Sequence, residues 1–297
     1  MSIKRGVLLV CIVIFLCPVK SYAEKIVVID PGHGGIFSGT CGYSGNQTGY
    51  CEKDANLSVA LILQNLLSNS DIDVYLTRTT DTEFSPYLHN KEGESIGGDL
   101  EIRINKANEY VQGENDNSIF ISIHHNANST NPFIRGIETY YYDGLNHFNP
   151  KWPHDPMQLT YLGDNLRLAQ TIHPRLVNFL GLPNRKIHND ESFYVIRNAQ
   201  MPAVLVELGY MINRNEEKII KTKEFQQKAA EALAEGIKRY FQAYDVLDNN
   251  NQKIATFDEF TSALIFMGLV EESVKIFNKD TQEFVFERPS SEVLSVN

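Results

Sequence analysis

Two histidines and two glutamates in this 297-residue chain, His33, Glu52, His124 and Glu207, are the residues that could do hydrolytic metal chemistry. Catalytic zinc sites draw three protein ligands from His, Glu, Asp and Cys and leave a fourth position for water. His33, Glu52 and His124 suit such a set. Zinc makes water a hydroxide-like nucleophile near neutral pH and polarises a carbonyl under attack. A second carboxylate, off the metal, must then take the proton of that water and hand it to a leaving nitrogen. Glu207 is the candidate for that role.

Each residue also has a plainer reading. Asp30-Pro31-Gly32-His33-Gly34-Gly35 can be only a tight turn. Glu52 can be an acid favoured at a helix start by the macrodipole. Glu207 can be neutralised by an internal arginine such as Arg78 or Arg103. His124 and His125 are adjacent, so in extended backbone they point to opposite faces and only one can meet a metal.

The elements around these residues favour convergence. Ile26–Asp30, Ile119–Ile123 and Ala203–Met211 are short, rich in Val, Ile and Leu, and apolar at successive positions, as strands buried on both faces are. In open α/β sheets, ligands gather beyond the carboxyl ends of such strands. Further strands are expected at 73–78, 136–142 and 193–196. Helices are expected from Glu52 to Leu67, from Asp99 (as N-cap) to Asn108, from Asn165 to Leu180 with a kink or early break at Pro174, and as one long amphipathic helix within 216–244. The stretches 79–98, 143–163 and 181–192 are irregular in pattern, and the first and last are candidate groove walls. Strands alternating with helices imply an α/β fold with a mostly parallel central sheet and helices on both faces.

Composition is that of an ordinary globular chain, 42% hydrophobic and 22% charged. The net charge of −10 gives no electrostatic reason to bind nucleic acid or an anionic bilayer. Lys4 and Arg5, the apolar run Gly6–Leu16 and the pattern Ser21-Tyr22-Ala23 read as a secretory signal peptide, cleaved after Ala23. An uncleaved anchor is the alternative. A lipoprotein reading of Cys17 is disfavoured by Leu16, where a small residue is expected. Nothing later is long enough to span a membrane. Cys11 and Cys17 leave with residues 1–23, so Cys41 and Cys51 remain, ten positions apart in an exported protein, where a disulfide between them is expected. Free thiols are the alternative; zinc ligation by this pair is disfavoured by the lack of CxxC spacing.

The division expected is a leader at 1–23, a catalytic domain at 24–244 and a C-terminal extension at 245–297. Within the extension, Asp248, Asn250, Gln252 and Glu259 have calcium-loop spacing, but Lys253 occupies the position where the sharp turn needs glycine. A small capping helix with a frayed end is the better expectation there.

Several motifs, in order, carry a resemblance. They are Ile29-Asp30-Pro31-Gly32-His33-Gly34-Gly35, Glu52-Lys53 before a helix, Thr77-Arg78, Leu100-Glu101-Ile102-Arg103 with Ala107-Asn108, Ser122-Ile123-His124-His125-Asn126-Ala127, Gly136-Ile137-Glu138-Thr139-Tyr140, and Met201–Tyr210 with Asn213. Together, over about residues 25–244, the chain closely resembles the zinc-dependent N-acetylmuramoyl-L-alanine amidases of the Amidase_3 type. The resemblance implies hydrolysis of the amide between the lactyl group of N-acetylmuramic acid and L-alanine in peptidoglycan. It implies His33, Glu52 and His124 as Zn2+ ligands and Glu207 as catalytic glutamate, with His125 at a variable position. The Cys41–Cys51 pair is not a general family feature, and a bridge there would fix Glu52. Some periplasmic relatives block the zinc with a long helix until an activator displaces it. The equivalent stretch here, Asp143–Asn165, carries Pro150, Pro153 and Pro156, so no such plug is expected, although His147 or His154 could approach the metal.

Peptidoglycan is thus the expected substrate, in the periplasm more than in the medium, with no activator identified and no cell-wall-binding repeat. A zinc peptidase acting on another stem-peptide amide, or a non-catalytic peptidoglycan-binding protein, are the alternatives.

Overall fold

The computed structural model describes residues 25–288 except 87, 90–94 and 271–273; the expected leader lies outside the described residues. The chain opens with β1 (Lys25–Pro31), a short α1 (Gly45–Thr48), α2 (Glu52–Leu67) and β2 (Ile72–Leu76). A two-stranded ladder of β3 (Leu88–His89) and β4 (Ser95–Gly97) leads into α3 (Asp99–Tyr110) and β5 (Ser118–Asn126). Then come β6 (Ile137–Tyr141), α4 (Leu162–Leu180), β7 (Asn184–Asn189), α5 (Tyr194–Arg197) and β8 (Ala203–Tyr210). Two helices, α6 (Arg214–Ile220) and α7 (Lys223–Phe241), precede β9 (Tyr244–Leu247), β10 (Lys253–Phe257), α8 (Phe260–Leu269), β11 (Val274–Asn278) and β12 (Glu283–Arg288).

The central sheet has the order β2-β1-β5-β8-β6-β7. The first four strands are parallel; β6 runs antiparallel to β8, and β7 parallel to β6. Because side chains alternate along a strand, each strand feeds two cores. Val27, Ile29, Ile119, Ile121, Ile123, Val204 and Val206 pack beneath α2, α4 and α7. Ile26, Val28, Phe120 and Leu205 pack on the other face with α3 and α5. Burial on both faces explains the unbroken apolar runs. The same alternation decides where the polar ends point: His124 and Glu207 continue the second set and His125 the first.

Several local expectations are corrected. Residues 193–196 form no strand; they lie at helix α5, and the strand is β7, within a stretch read as irregular. Its sequence Asn184-Arg185-Lys186-Ile187-His188-Asn189 is polar because it is a half-exposed edge strand, so it offers no apolar run. The long amphipathic helix expected within 216–244 is present as α7, started by the Thr222 hydroxyl accepting the Phe225 N–H, and the short α6 before it is an addition. Pro174 leaves α4 continuous: Leu168, Ala169, Ile172 and Leu176 are fully buried along it, and that packing outweighs one missing backbone bond. Gly98 is the N-cap of α3, and Asp99 is its first residue, turned to Arg103 and to the Phe84 N–H.

The C-terminal extension is more than a capping helix. It is a four-stranded antiparallel sheet, β10-β9-β11-β12, with α8 against it around Val246, Ala263, Met267, Val274 and Ile276. Asp248 Oδ1 accepts the N–H groups of Asn250 and Gln252 to turn the chain between β9 and β10, and Glu259 pairs with Arg239. This layer meets the amino ends of the central strands. Lys25, the first residue of β1, binds Asp71 at 2.7 Å and Asp280 at 2.6 Å.

Candidate metal centre

β1 ends in a turn that delivers His33. At Gly32 a Cβ would lie 2.2 Å from ring atoms of His124, so only glycine lets the two approach. His33 itself has φ 62, a left-handed conformation costly for a residue with a Cβ. Arg103 Nη2 holds it there by donating to the His33 carbonyl at 2.5 Å.

Glu52 is the first residue of α2, and the expected disulfide Cys41–Cys51 closes the loop immediately before it. The Glu52 backbone N–H donates to Thr40 O at 2.9 Å, and Thr40 N–H donates to Glu52 Oε2 at 3.0 Å, so the loop grips the residue at both its backbone and its carboxylate. Glu52 Oε1 lies 3.2 Å from His33 Nε2 and 2.9 Å from His124 Nδ1. Burial alone would raise this carboxyl's pKa; the imidazoles of His33 and His124 nevertheless hold it well below the ordinary value.

His33, Glu52 and His124 each offer one ligand atom, all within 4.8 Å of one another, and among the described residues no other group of three or more His, Cys, Asp or Glu is so arranged. Two imidazole nitrogens and one buried carboxylate oxygen, gathered at the carboxyl ends of strands, fit a dication of the zinc type. His147 is exposed, and His154 Nδ1 sits 2.6 Å from Tyr142 Oη; neither belongs to this group. Within 143–161 the backbone forms a 3-10 turn, Pro156–Thr160, and no α-helix.

Beneath the centre lies a buried platform. Asp30 accepts from Thr77 Oγ1 at 2.6 Å, Ser122 Oγ at 2.8 Å and Arg103 Nη1 at 3.0 Å. Burial works against its ionised form, but Arg103 and then the two hydroxyls lower its pKa. Arg103 also donates to Asp99 at 2.5 Å. Arg78 donates to the carbonyls of Pro31, Gly32 and Lys53, tying β1, its turn and α2 together. Both arginines are thus committed elsewhere, which removes the reading that either neutralises Glu207. His125, on the opposite face, is buried with Nδ1 2.7 Å from Asn56 Oδ1, and its N–H donates to Glu52 Oε1 at 3.2 Å. Burial pushes its imidazole pKa down to about 4.

Glu207 pairs in register with His124 on one side and with Glu138 on the other. It is buried, and its Oε2 has no hydrogen-bond partner. Burial first, then the carboxylates of Glu52 and Glu138, raises its pKa well above the usual value. Glu138 is ringed by donors: Arg185 Nε at 2.8 Å, Asn126 Nδ2 at 2.6 Å and Tyr210 Oη at 2.8 Å. Sequence reasoning gave no role to Asp30, Thr77, Ser122, Glu138 or Arg185. All but Arg185 lie inside the quoted motifs, yet spacing alone does not say which side chain meets which. Beside the centre a cavity of about 310 Å³ is lined by His33, His124, Leu100, Phe193, Val195 and Leu205.

A sequence profile described as N-acetylmuramoyl-L-alanine amidase (Amidase_3) matches residues 27–239. The uncharacterized protein YqiI of Bacillus subtilis is 32% identical over 242 residues, spanning 80% of this chain and 97% of the relative. The N-acetylmuramoyl-L-alanine amidase AmiA of Escherichia coli is 29% identical over 241 residues, 76% of this chain and 79% of AmiA. The solved catalytic domain of CwlV, an N-acetylmuramoyl-L-alanine amidase from Bacillus (Paenibacillus) polymyxa var. colistinus, superposes with a TM-score of 0.54 at 32% identity, covering 73% of this chain and 97% of that domain.

Proposed function

The chain belongs to the N-acetylmuramoyl-L-alanine amidase family Amidase_3, and from that premise we propose an exported zinc hydrolase in which His33, Glu52 and His124 hold the metal and Glu207 moves the proton. The bond cut is the amide between N-acetylmuramic acid and L-alanine of peptidoglycan. The observation that carries the assignment of roles is the gathering of His33, Glu52 and His124 beside a buried Glu207, with Arg78 and Arg103 both committed to other partners.

A zinc ion in that set would supply Lewis acidity, acidifying water and polarising the amide carbonyl. The chain's own residues do the rest. Glu52, kept ionised by the imidazoles, contributes the negative charge that favours a dication. Glu207 accepts the proton of the attacking water and returns it to the departing alanine nitrogen. Its proton affinity is raised by burial and by Glu52 and Glu138, the direction that favours a carboxylate able to take up a proton. Asp30 and Arg103 hold the His33 turn, which limits the freedom that ligand would lose on meeting a metal.

We assign residues 1–23 to a cleaved leader, 24–244 to the catalytic domain and 245–297 to an extension that takes no part in the chemistry. None of the described helices is long and apolar enough to cross a membrane. The leader pattern and the disulfide support export, with the periplasm as the favoured compartment. Replacing Glu207→Gln tests the division of roles: turnover should fall by at least about a thousandfold with zinc stoichiometry unchanged, as expected when an acid–base group is lost. Loss of zinc together with activity, or survival of activity, would show that Glu207 is not the proton carrier.

A further inference from the structure

One ionisable side chain per strand crosses the sheet at the site: His124 on β5, Glu207 on β8, Glu138 on β6 and Arg185 on β7. The last is held with unusual care. Arg185 Nε donates to Glu138 Oε1 at 2.8 Å, and its guanidinium leans over the Tyr210 ring at 5.5 Å. The pairing of β6 and β7 shifts register at this point, between Ile137 and Thr139. Lys186, next along β7, adopts φ 79, with its N–H donated to Asn184 Oδ1 at 2.8 Å. Bulges beside active sites re-aim side chains, and a left-handed conformation at a residue other than glycine costs energy that ordinary strand pairing does not require. The arginine stem also needs Gly136: a Cβ there would lie 2.9 Å from Arg185 Cγ and 2.3 Å from the Pro183 carbonyl oxygen. The Arg185 side chain still keeps 37% of its surface open, against 6% for Glu138.

A surface arginine that only neutralised Glu138 would need neither the bulge nor the glycine. We propose that Arg185 is a specificity residue that docks a carboxylate of the substrate, the one carried by the stem-peptide residue that follows L-alanine. The inference rests on the amidase reading above. In peptidoglycan that residue is a glutamate linked through its γ-carboxyl, so its α-group is free and is either carboxylate or carboxamide. Two residues of extended chain reach about 7 Å from the scissile amide. Glu207 and Arg185 stand two strands apart, roughly 10 Å at the backbone, and the long arginine side chain shortens the gap. The planar guanidinium offers paired N–H donors to a carboxylate, whereas a carboxamide brings no charge and turns one of its own donors toward the arginine.

The test uses the full chain, zinc-loaded, with two synthetic muramoyl-L-alanyl-D-glutamates whose γ-carboxyl is capped as the methylamide, one with a free α-carboxylate and the other with an α-carboxamide. The unaltered enzyme should favour the carboxylate by about tenfold or more in kcat/KM, mostly through KM, the scale of one charge-assisted hydrogen bond. In Arg185→Gln that ratio should fall to near one, and Arg185→Lys should keep part of it. No preference in the unaltered enzyme overturns the assignment, as does an Arg185→Gln variant that slows both substrates equally and leaves the ratio intact. Either result leaves the amidase reading standing; failure to release the alanyl-glutamyl peptide, with its new alanine amino terminus, from both substrates overturns the two together.

Discussion

Burial acts in the same direction on Glu52 and Glu207, yet the two carboxyls end on opposite sides of the ordinary range because their neighbours differ. Two imidazoles face the first; carboxylates face the second. The split supports the proposed division between a metal-holding Glu52 and a proton-moving Glu207, a distinction that residue type could not make. What was legible at this scale was which side chains meet, His33, Glu52 and His124 with Glu207 in register beside them, because each stands beside an apolar run or helix start. The supporting contacts to Asp30 and Glu138 join residues far apart in sequence and were not legible. Gly32 sharpens the point. Gly32→Ala should drive a methyl into the His124 ring, lowering zinc occupancy and turnover and destabilising the fold by about 1–3 kcal/mol, the usual cost of overpacking. Metal analysis and a thermal melt check this; full zinc content would contradict it. His125 gives a pH test. Its folded pKa, about 4, lies below the unfolded value of about 6.5, so above pH 6.5 it is neutral in both states and costs nothing. As pH falls from 6.5 towards 4, the unfolded chain takes up a proton that the folded chain refuses, and stability is lost by on the order of 3 kcal/mol. Denaturant midpoints at pH 7 and 4.5 should therefore converge in His125→Gln relative to the unaltered chain; an equal fall in both would refute it.

At the scale of elements, α2 has the most to do. Its first residue is a metal-binding candidate, and a ten-residue cross-linked loop fixes where that residue starts. Closing a loop of that size contributes about 2–3 kcal/mol in the chain-entropy view. The double variant Cys41→Ser/Cys51→Ser should lose about that much stability and bind zinc more weakly, because Thr40 and Glu52 brace each other through this loop. Isothermal titration with zinc reads the second effect; unchanged affinity would mean the loop holds Glu52 without the bridge. The central strands were legible because burial on both faces leaves continuous apolar runs. β7 was not, since an edge strand with a bulge has no such run, and 193–196 misled because Phe193, Val195 and Ile196 are apolar for packing against α3 and β8, not for pairing. The long helix α7 was legible from its amphipathic period, while the short α6 before it, of seven residues, was too brief to carry one.

For the whole molecule, the two layers divide labour by the ends of the strands. The candidate metal centre stands at the carboxyl ends, while the C-terminal sheet meets Lys25 at the amino end of β1, roughly 20 Å away along a seven-residue strand. Arg167 joins them, stacked 3.7 Å over Tyr240 and paired with Asp258 at 3.2 Å. Arg167→Ala should therefore destabilise the fold by about 2–4 kcal/mol, since it strips a buried charge from its partners, while kcat at moderate temperature stays within about twofold. A large fall in kcat with the fold intact would show that the extension reaches the site. The α/β architecture was legible from the alternation of strands and helices; the extension was not, because its short half-exposed strands carry little pattern. Purified sacculi digested with the zinc-loaded enzyme should release stem peptides with new L-alanine amino termini, none after chelation and none from Glu207→Gln. New termini at any other residue, or release that survives chelation, would contradict the account.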